Sequence, residues 1–479
     1  MKISTRWLAA TATCALLLGG ASPALAQDSS KIDSLLLRLK DKGILTEDEY
    51  ATLMARSAVD AQAPVAAAAN GNSAAVTTSE TQPPQQAAAQ ALDGRMVRFT
   101  ESGVGLEMGG VTLKVSGSVN GFYTHDNPDR GGAGRTVDGG LAGVGSSSSS
   151  IRNGLLPGFL KVDVTTQQGG WDVGAHFGLY PGINSVSGVG GANSAGTPQA
   201  LATSGIDARQ TYLTFGRAGF GEIKVGRDIG LFGSDAILND ITLLSVGSTG
   251  GNAAPSNTSL GRIGIGYIYT DFMPQITYTT PKFGGLQASI GMFQPLVTIG
   301  NTEVNKSPGF QAKLTYDFKA EDFVGHAWVG GITQKHDGTG LFPSYTGSGF
   351  DLGAKLTYAG FGVTGYYYAG SGIGTTGLFI LSTSAAGRKR DSDGFYAQAT
   401  YTLDKFTVGG SYGESHLDLA RGEINPTLLD TNMSYVGQLR YGLTSWVTLI
   451  GEYTHTRSEA QNGNRAVSDA LTSGAILFF

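Results

Sequence analysis

Few residues in this sequence could carry chemistry, and they indicate electrostatics rather than catalysis. The six histidines are scattered and lack the close spacing of a metal site. A G-x-G-x-x-G match at residues 372–377 lacks the strand-to-helix context that a nucleotide site requires. We therefore expect no metal, no cofactor and no enzymatic activity. What remains is a set of charged side chains that could sort ions and solutes by charge.

The most distinctive charges lie on or beside one long segment, residues 228–260. This segment is rich in large apolar residues: Ile229, Leu231, Phe232, Ile237, Leu238, Ile241, Leu243 and Leu244. A connection surrounded by water has little reason to be so apolar, so we expect it to pack against an inner protein surface. It would then bring three carboxylates into a channel: Asp228, Asp235 and Asp240. Arg227 ends the predicted strand before the segment, and Arg262 begins the predicted strand after it.

The elements that position these charges are β-strands. From about residue 95 to the end, apolar and polar residues alternate; for example, Phe395, Ala397 and Tyr401 share one face. Successive side chains of a strand point to opposite sides, so each strand has an apolar and a polar face. The polar faces carry residues such as Lys161, Asp163, Gln311, Lys313, Gln438 and Arg440.

The connections between these strands alternate in length. Short turns are predicted near residues 168–170, 218–221, 282–285, 320–325, 359–360, 404 and 444. Long connections rich in Gly, Ser and Asn are predicted at about 126–156, 181–205, 228–260, 294–308, 335–348, 371–393, 415–432 and 458–466. Seven turns and eight loops join 16 strands, with short turns on one side and long loops on the other. This is the pattern of an outer-membrane β-barrel.

A chain that crosses lipid must satisfy every backbone polar group internally, so strands must close into a barrel. A barrel of about 8 strands is filled by its own side chains, whereas one of about 16 leaves an aqueous channel. We predict an all-β fold: a 16-stranded antiparallel transmembrane β-barrel with short periplasmic turns, long extracellular loops, an inward-folded third loop and a small N-terminal helical segment. The alternative is a soluble sandwich whose polar faces contact water.

The residues before the barrel divide into three parts. Residues 1–26 have the positive start, apolar run and A-x-A site of a secretory signal peptide. Residues 27–57 predict a periplasmic helical hairpin, with Gly43 between the helices and a capping box at Thr46 and Glu49. Residues 58–94 are rich in Ala, Gln and Pro and predict a disordered linker, and residues 95–479 form the barrel.

The barrel region resembles the general trimeric porins of Gram-negative outer membranes. The resemblance rests on four stretches taken together: residues 209–213 (RQTYL), 219–227 (GFGEIKVGR), 260–264 (LGRIG) and 278–286 (YTTPKFGGL). It implies a homotrimer of 16-stranded barrels in the cell outer membrane, each narrowed by its third loop. It also implies that basic wall residues face acidic groups on that loop, with Arg227 and Arg262 at matching positions and Lys161 as a looser third. The family's Pro-Glu-Phe-Gly-Gly loop tip is absent, which removes the glutamate on which strong cation preference would rest.

The orientation of Arg227 stays open at this point. Arg227 shares strand parity with Ile223 and Val225, which should face lipid, so either Gly226 bends the strand inward or Arg227 reaches from the rim. Arg209 shares parity with outward residues and ranks below the other basic residues.

The leading function is passive diffusion of ions and small hydrophilic solutes through a water-filled barrel. Alternatives are a substrate-selective channel, an outer-membrane anchor that binds the cell wall or a periplasmic partner through residues 28–57, and a barrel enzyme. The expected partners are outer-membrane lipids and small solutes. The formal charge of −5 gives no reason to expect nucleic acid.

Overall fold

The computed structural model describes residues 98–99, 104–183, 206–249, 258–300, 302–340 and 342–479. The predicted signal peptide (1–26), helical hairpin (27–57) and linker (58–94) lie outside these described residues, so those three assignments stay predictions. Among the helices within the described ranges, none combines the length and apolar character needed to cross a membrane.

Nineteen strands and two short helices make up the described fold. The strands are β1 (Arg98–Phe99), β2 (Val104–Met108), β3 (Val111–Pro128), β4 (Ser148–Arg152), β5 (Phe159–Gln168), β6 (Trp171–Pro181), β7 (Ile206–Arg217), β8 (Gly221–Ile229), β9 (Phe272–Thr279), β10 (Leu286–Phe293), β11 (Gly309–Ala320), β12 (Phe323–His336), β13 (Tyr345–Tyr358), β14 (Phe361–Ser371), β15 (Asp391–Leu403), β16 (Phe406–Leu417), β17 (Leu429–Gly442), β18 (Val447–Ala460) and β19 (Arg465–Phe478). The helices are α1 (Ser234–Asn239) and a 3₁₀ helix (Ile241–Leu244).

Sixteen of these strands close into one antiparallel barrel, as the sequence predicted. β3 pairs with β5, and each strand from β5 to β18 pairs with the strand that follows it. The ring closes where β19 pairs with β3, from Ser468↔Pro128 to Phe478↔Ser118. Beyond the end of β19, the amide and carbonyl groups of Phe479 each hydrogen bond to Gly117 at 3.1 Å. Each of these sixteen described strands therefore has a hydrogen-bonded neighbour on both sides.

A small meander continues the sheet below this seam. β3 is 18 residues long, and its first residues extend past the end of β19. There β2 pairs with β3, from Val104↔Val115 to Met108↔Val111, and β1 pairs with β2. The meander therefore covers the part of β3 that the closing strand does not reach.

The barrel carries apolar residues outside and polar residues inside, which confirms the predicted alternation. On the outer face Leu352 is 45% exposed and Ile290 is 60% exposed. On the inner face Asp351 is 1% exposed and Gln311 is 3% exposed. An exposed apolar band around a polar interior is the pattern of a barrel surrounded by lipid.

All seven predicted short turns occur. The long connections occur where predicted except for the last, which is a turn of only four residues (461–464), and the third is longer than predicted. β8 ends at Ile229 and β9 begins at Phe272, so this connection, loop 3, spans residues 230–271. Asp228 consequently lies on a strand rather than on the loop. Arg262 lies within the loop and does not begin a strand.

The seam where β19 meets β3 depends on a close approach at Gly117. A Cβ atom at this position would lie 2.4 Å from the Phe479 ring and 2.9 Å from the Phe159 carbonyl oxygen. We expect Gly117→Val to destabilise the barrel by about 1–3 kcal/mol through overpacking. The measurement is the temperature at which the folded band is lost in heat-modifiability electrophoresis.

Gly437→Val is the matched control, because a Cβ atom there meets no other atom within 4 Å. Equal unfolding temperatures for the two variants would contradict the role assigned to the seam.

Candidate functional site

Loop 3 lies inside the barrel, as its apolar composition predicted. Phe232, Ile237 and Ile241 are 1%, 7% and 3% exposed. Phe232 and Ile237 belong to one buried cluster with aromatic residues of the inner wall: Trp328, Tyr366, Tyr368 and Tyr396. Removal of these apolar side chains from water stabilises the inserted loop, which supplies the barrel with an apolar core along β12 to β15.

Hydrogen bonds from the wall fix the start of loop 3 and α1. The Leu231 amide donates to Gln311 Oε1 at 2.7 Å, and the Gly233 amide donates to Asp351 Oδ2 at 3.2 Å. Asp235 on α1 pairs with Lys313 at 2.6 Å and lies 3.1 Å from His326 Nε2. Asp235 therefore faces the wall and ties α1 to β11 and β12.

Asp240 also makes its hydrogen bonds within loop 3 and does not face the channel. It is 4% exposed and accepts hydrogen bonds from the Thr242 amide at 2.9 Å, the Thr242 hydroxyl at 2.6 Å and the Tyr267 hydroxyl at 2.9 Å. These bonds cap the 3₁₀ helix and connect the two halves of loop 3. The expected acidic face of the channel does not form from Asp235 and Asp240.

The end of the 3₁₀ helix is held by a wall carboxylate that the sequence analysis did not single out. Glu452 accepts hydrogen bonds from the Ser245 hydroxyl, from the Gly247 amide at 2.7 Å and from Gln438 Nε2 at 2.8 Å. Arg440 adds a bond to the Ile241 carbonyl oxygen at 2.6 Å. Alternation had placed Gln438 and Arg440 on the inner face, but nothing local in the sequence identified their partners.

Arg262 is fully buried between loop 3 and the wall. Its exposed fraction is 0%, and Nη1 donates to the Ser434 carbonyl and hydroxyl oxygens at 3.2 and 3.1 Å. Positive φ angles of 57° at Gly261 and 73° at Gly264 form turns where a strand was expected. The structure therefore does not place Arg262 with Arg227 and Lys161.

Among the described residues, two cavities lie against β5 to β9 in the space that loop 3 leaves. The outer cavity, about 770 Å³, lies at the end of the barrel with the long loops. The inner cavity, about 720 Å³, lies at the end with the short turns. The outer cavity includes apolar loop residues such as Leu155, Leu238 and Leu243, whereas the inner cavity is lined mostly by polar groups.

Three basic residues line the outer cavity: Lys161, Arg209 and Arg227. Arg209 pairs with Asp207 at 2.8 Å, and its guanidinium lies 5.1 Å from the Tyr180 ring centroid. Arg227 is exposed and donates to the Phe272 carbonyl oxygen at 2.5 Å. The outer cavity thus brings together two of the three predicted basic residues and one that was ranked lower.

Backbone irregularities explain why strand parity misjudged these arginines. The pairing of β6 with β7 shifts between Gly178↔Gln210 and Tyr180↔Asp207, so β7 has an extra residue there. Such a bulge reverses the side to which following residues point, and Arg209 turns to the lumen. Beside Arg227, Gly226 has a φ of 135°, and a Cβ atom there would lie 2.4 Å from the Thr211 carbonyl oxygen. The strand is therefore irregular at Gly226, where one of the two alternatives for Arg227 had placed an inward bend.

A polar network separates the two cavities. Asp228 is 6% exposed, pairs with Lys224 at 2.5 Å and accepts from Gln210 Nε2 at 2.7 Å. The Tyr180 hydroxyl donates to Gln210 Oε1 at 2.6 Å. Gln210 and Tyr180 line the outer cavity, while Asp228 and Lys224 line the inner one.

Among the described residues that line the outer cavity, acidic groups are fewer than basic ones. Asp207 is paired with Arg209, and Asp271 lies just before β9. Burial raises the pKa of Asp271, so this carboxyl loses its charge at a higher pH than an ordinary aspartate. Within the described residues no group of three His, Cys, Asp or Glu side chains could hold a metal ion.

Known proteins match this chain at the level of family and fold. A family model described as Gram-negative porin matches residues 58–461. The outer membrane channel DcaP of Acinetobacter baumannii aligns with a TM-score of 0.59 at 15% identity, covering 80% of this chain and 99% of that chain. The anion-selective porin from Comamonas acidovorans aligns with a TM-score of 0.53 at 14% identity, covering 77% of this chain and 100% of that chain. No curated protein matches the sequence.

The bonds to Glu452 generate a prediction about loop 3. Glu452→Ala leaves Ser245, Gly247 and Gln438 without their acceptor, which costs about 1–3 kcal/mol for a buried polar group. We expect roughly tenfold faster hydrogen–deuterium exchange in peptides covering residues 241–249, because local opening becomes easier. Glu222→Ala, at an exposed residue of the inner cavity, should leave this exchange unchanged. Equal protection of the loop in both variants would contradict this assignment.

Proposed function

Because the chain belongs to the Gram-negative porin family, we propose that ions and small hydrophilic solutes diffuse through its outer-membrane barrel along the outer and inner cavities, past a constriction formed by loop 3. The observation that carries this proposal is the asymmetric packing of loop 3. Wall contacts through Gln311, Asp351 and Glu452 hold the loop on the far side of the lumen, and the two cavities lie against β5 to β9. A passive diffusion path requires open space that continues along one side of the barrel, and two cavities in series would provide it.

Beside loop 3, this path crosses the network of Tyr180, Gln210 and Asp228 that lies between the two cavities. Its groups are polar and hydrogen bonded, so a passing solute can exchange hydrogen bonds with them. The outer cavity, which lies on the extracellular side of this network, has an excess of positive charge. Its basic residues are Lys161, Arg209 and Arg227, and its acidic residues are Asp207 and Asp271. We expect this excess to favour anions over cations of similar size.

A substrate-selective channel is the second candidate, and the lining of the outer cavity favours it. Basic side chains lie over aromatic rings there: Arg209 is 5.7 Å from the Phe272 centroid, and Lys161 is 5.4 Å from the Phe159 centroid. Apolar loop residues line the same cavity. Such a surface would retain a solute that has both an apolar body and a polar group. Conductance that saturates with the concentration of one solute class would favour this candidate over simple diffusion.

The charge assignment is tested by Lys161→Glu in planar bilayers. A unit charge about 4 Å from an ion in water contributes about 1 kcal/mol, and this substitution changes the charge by two units. We therefore expect a shift in ion preference towards cations of more than about fivefold. The measurement is the reversal potential in a salt gradient. Lys319→Glu is the matched control, since Lys319 is exposed near a short turn and outside both cavities.

Equal reversal potentials for the two variants would remove Lys161 from the path. An intact barrel without any conductance would instead favour the anchor, in which residues 28–57 are the essential part. Hydrolysis of ester lipids by the purified barrel would favour an enzyme.

We further propose that the barrel assembles as a homotrimer through the side formed by β8 to β10. These strands have 9, 8 and 8 residues, whereas β17, β18 and β19 have 14 each. A tilted strand needs about 9–11 residues to cross the hydrocarbon layer, so β8 to β10 form the lowest part of the barrel wall. Contact with neighbouring copies would shield this part of the wall from lipid.

We expect native mass spectrometry in detergent to show three copies. Ile290→Arg, on the outer face of β10, should give monomers, whereas Leu439→Arg, on the outer face of β17, should leave trimers. The two substitutions place the same charge on lipid-facing positions of opposite walls. Trimers of both variants would contradict the proposed interface, and a monomeric parent protein would contradict the trimer.

A further inference from the structure

The glycine-rich motif at residues 372–377 forms a compact turn inside the barrel. It belongs to loop 6 (residues 372–390), which connects β14 to β15. Gly372 and Gly374 have φ angles of 70° and 83°, and a Cβ atom on Gly374 would lie 2.1 Å from the Ile380 carbonyl oxygen. The Phe379 amide donates to the Ile373 carbonyl oxygen at 2.7 Å. The glycines therefore serve a tight backbone turn and not a phosphate site.

This turn is buried against loop 3. Ile373 and Phe379 are both 0% exposed and belong to the same apolar cluster as the loop 3 residues. The Tyr269 amide donates to the Thr376 carbonyl oxygen at 3.0 Å. A Cβ atom on Gly264 would lie 3.1 Å from the Thr376 Cα atom, so the two loops approach closely at their backbones. Loop 6 is thus a second loop inserted into the lumen.

One face of the inserted turn borders the diffusion path. Thr376, Gly377 and Ile380 line the outer cavity, as do Lys161 and Arg209. A solute in that cavity would meet a hydroxyl and an aliphatic side chain from loop 6 as well as the basic wall. Loop 6 therefore contributes to the shape of the space that solutes must enter.

A buried ion pair holds loop 6 from the extracellular side. Arg390 pairs with Glu423 of loop 7 (residues 418–428) through two hydrogen bonds, one of them 2.9 Å between Nε and Oε2. Their side chains are 6% and 9% exposed. Arg390 Nη1 also donates to the Leu381 carbonyl oxygen at 3.1 Å. A bidentate arginine–carboxylate pair fixes the relative orientation of the two side chains as well as the distance between them.

Loop 6 has a second support near the same side. The Tyr345 and Ser382 hydroxyl oxygens lie 2.9 Å apart in a hydrogen bond, and the His336 ring packs edge-on against Phe379 with centroids 4.3 Å apart. The turn is therefore held between loop 3 below and wall and loop residues above.

We propose that Thr376 and Ile380 of loop 6 are specificity-determining residues of the outer cavity, and that Arg390 and Glu423 are positioning residues for them. This rests on the proposed function, because it requires solutes to pass through the outer cavity. Loop 3 then forms one side of the access to that cavity and loop 6 another.

Cysteine modification tests the first half of this inference. The only cysteine of the chain is Cys14, within the predicted signal peptide, so a new cysteine in the barrel gives an unambiguous signal. We expect an anionic methanethiosulfonate reagent on Thr376→Cys to lower conductance and shift the reversal potential towards cations, and a cationic reagent to shift it towards anions. Ala385→Cys, exposed on the same loop and outside the outer cavity, should be modified without either change.

Modification of Thr376→Cys without an electrical effect, or no modification at all, would overturn the inference. An absence of conductance in the unmodified protein would instead reject the proposed function, so the two failures are distinguishable.

The positioning role of Glu423 is tested in the Thr376→Cys background. We expect Glu423→Leu to change the rate of thiol modification about tenfold, because loss of the carboxylate frees Arg390 and the turn. Glu423→Asp should restore most of the original rate. An unchanged rate in Glu423→Leu would show that the ion pair does not position the turn.

Discussion

Closure of the backbone hydrogen-bond ladder is the constraint on which the rest of this structure depends. In lipid there is no water to satisfy a free amide or carbonyl group, so a sheet survives only without open edges. The pairing of β19 with β3 meets that condition. Closure also separates a lipid-facing surface from an interior, and this separation permits polar residues to be buried along every strand while apolar residues stay exposed.

The interior that closure creates is too wide for the wall side chains to fill, and loops occupy part of it. Loop 3 combines two kinds of contact: apolar residues pack against wall aromatics, and its polar groups are bound by wall residues such as Asp351 and Glu452. Each buried polar group of the loop that finds such a partner avoids the cost of burial without a hydrogen bond. The path for solutes is therefore the part of the lumen that the loops leave empty. The charges along this path come from wall residues that the loops do not cover.

The fold was predictable because its signals are local. A two-residue period identifies strands and faces, as in the stretch around Phe395, and turn residues mark where strands end. The apolar character of loop 3 correctly indicated an inward position. The site was less predictable, because its determinants are single-residue irregularities and long-range partners. A bulge in β7 turns Arg209 inward against its parity, and positive φ angles at Gly261 and Gly264 remove Arg262 from a strand. Glu452 lies 207 residues along the chain from Ser245, and no local pattern connects them.

The meander below the seam has a mechanical consequence. Within the described residues, a pull on the chain at β1 acts first on two short ladders, β1 on β2 and β2 on β3. Tension would peel these ladders one residue pair at a time, and peeling needs far less force than shearing a whole strand. The short ladders of the meander would therefore separate before the longer ladders that join β3 to β5 and β19 are strained.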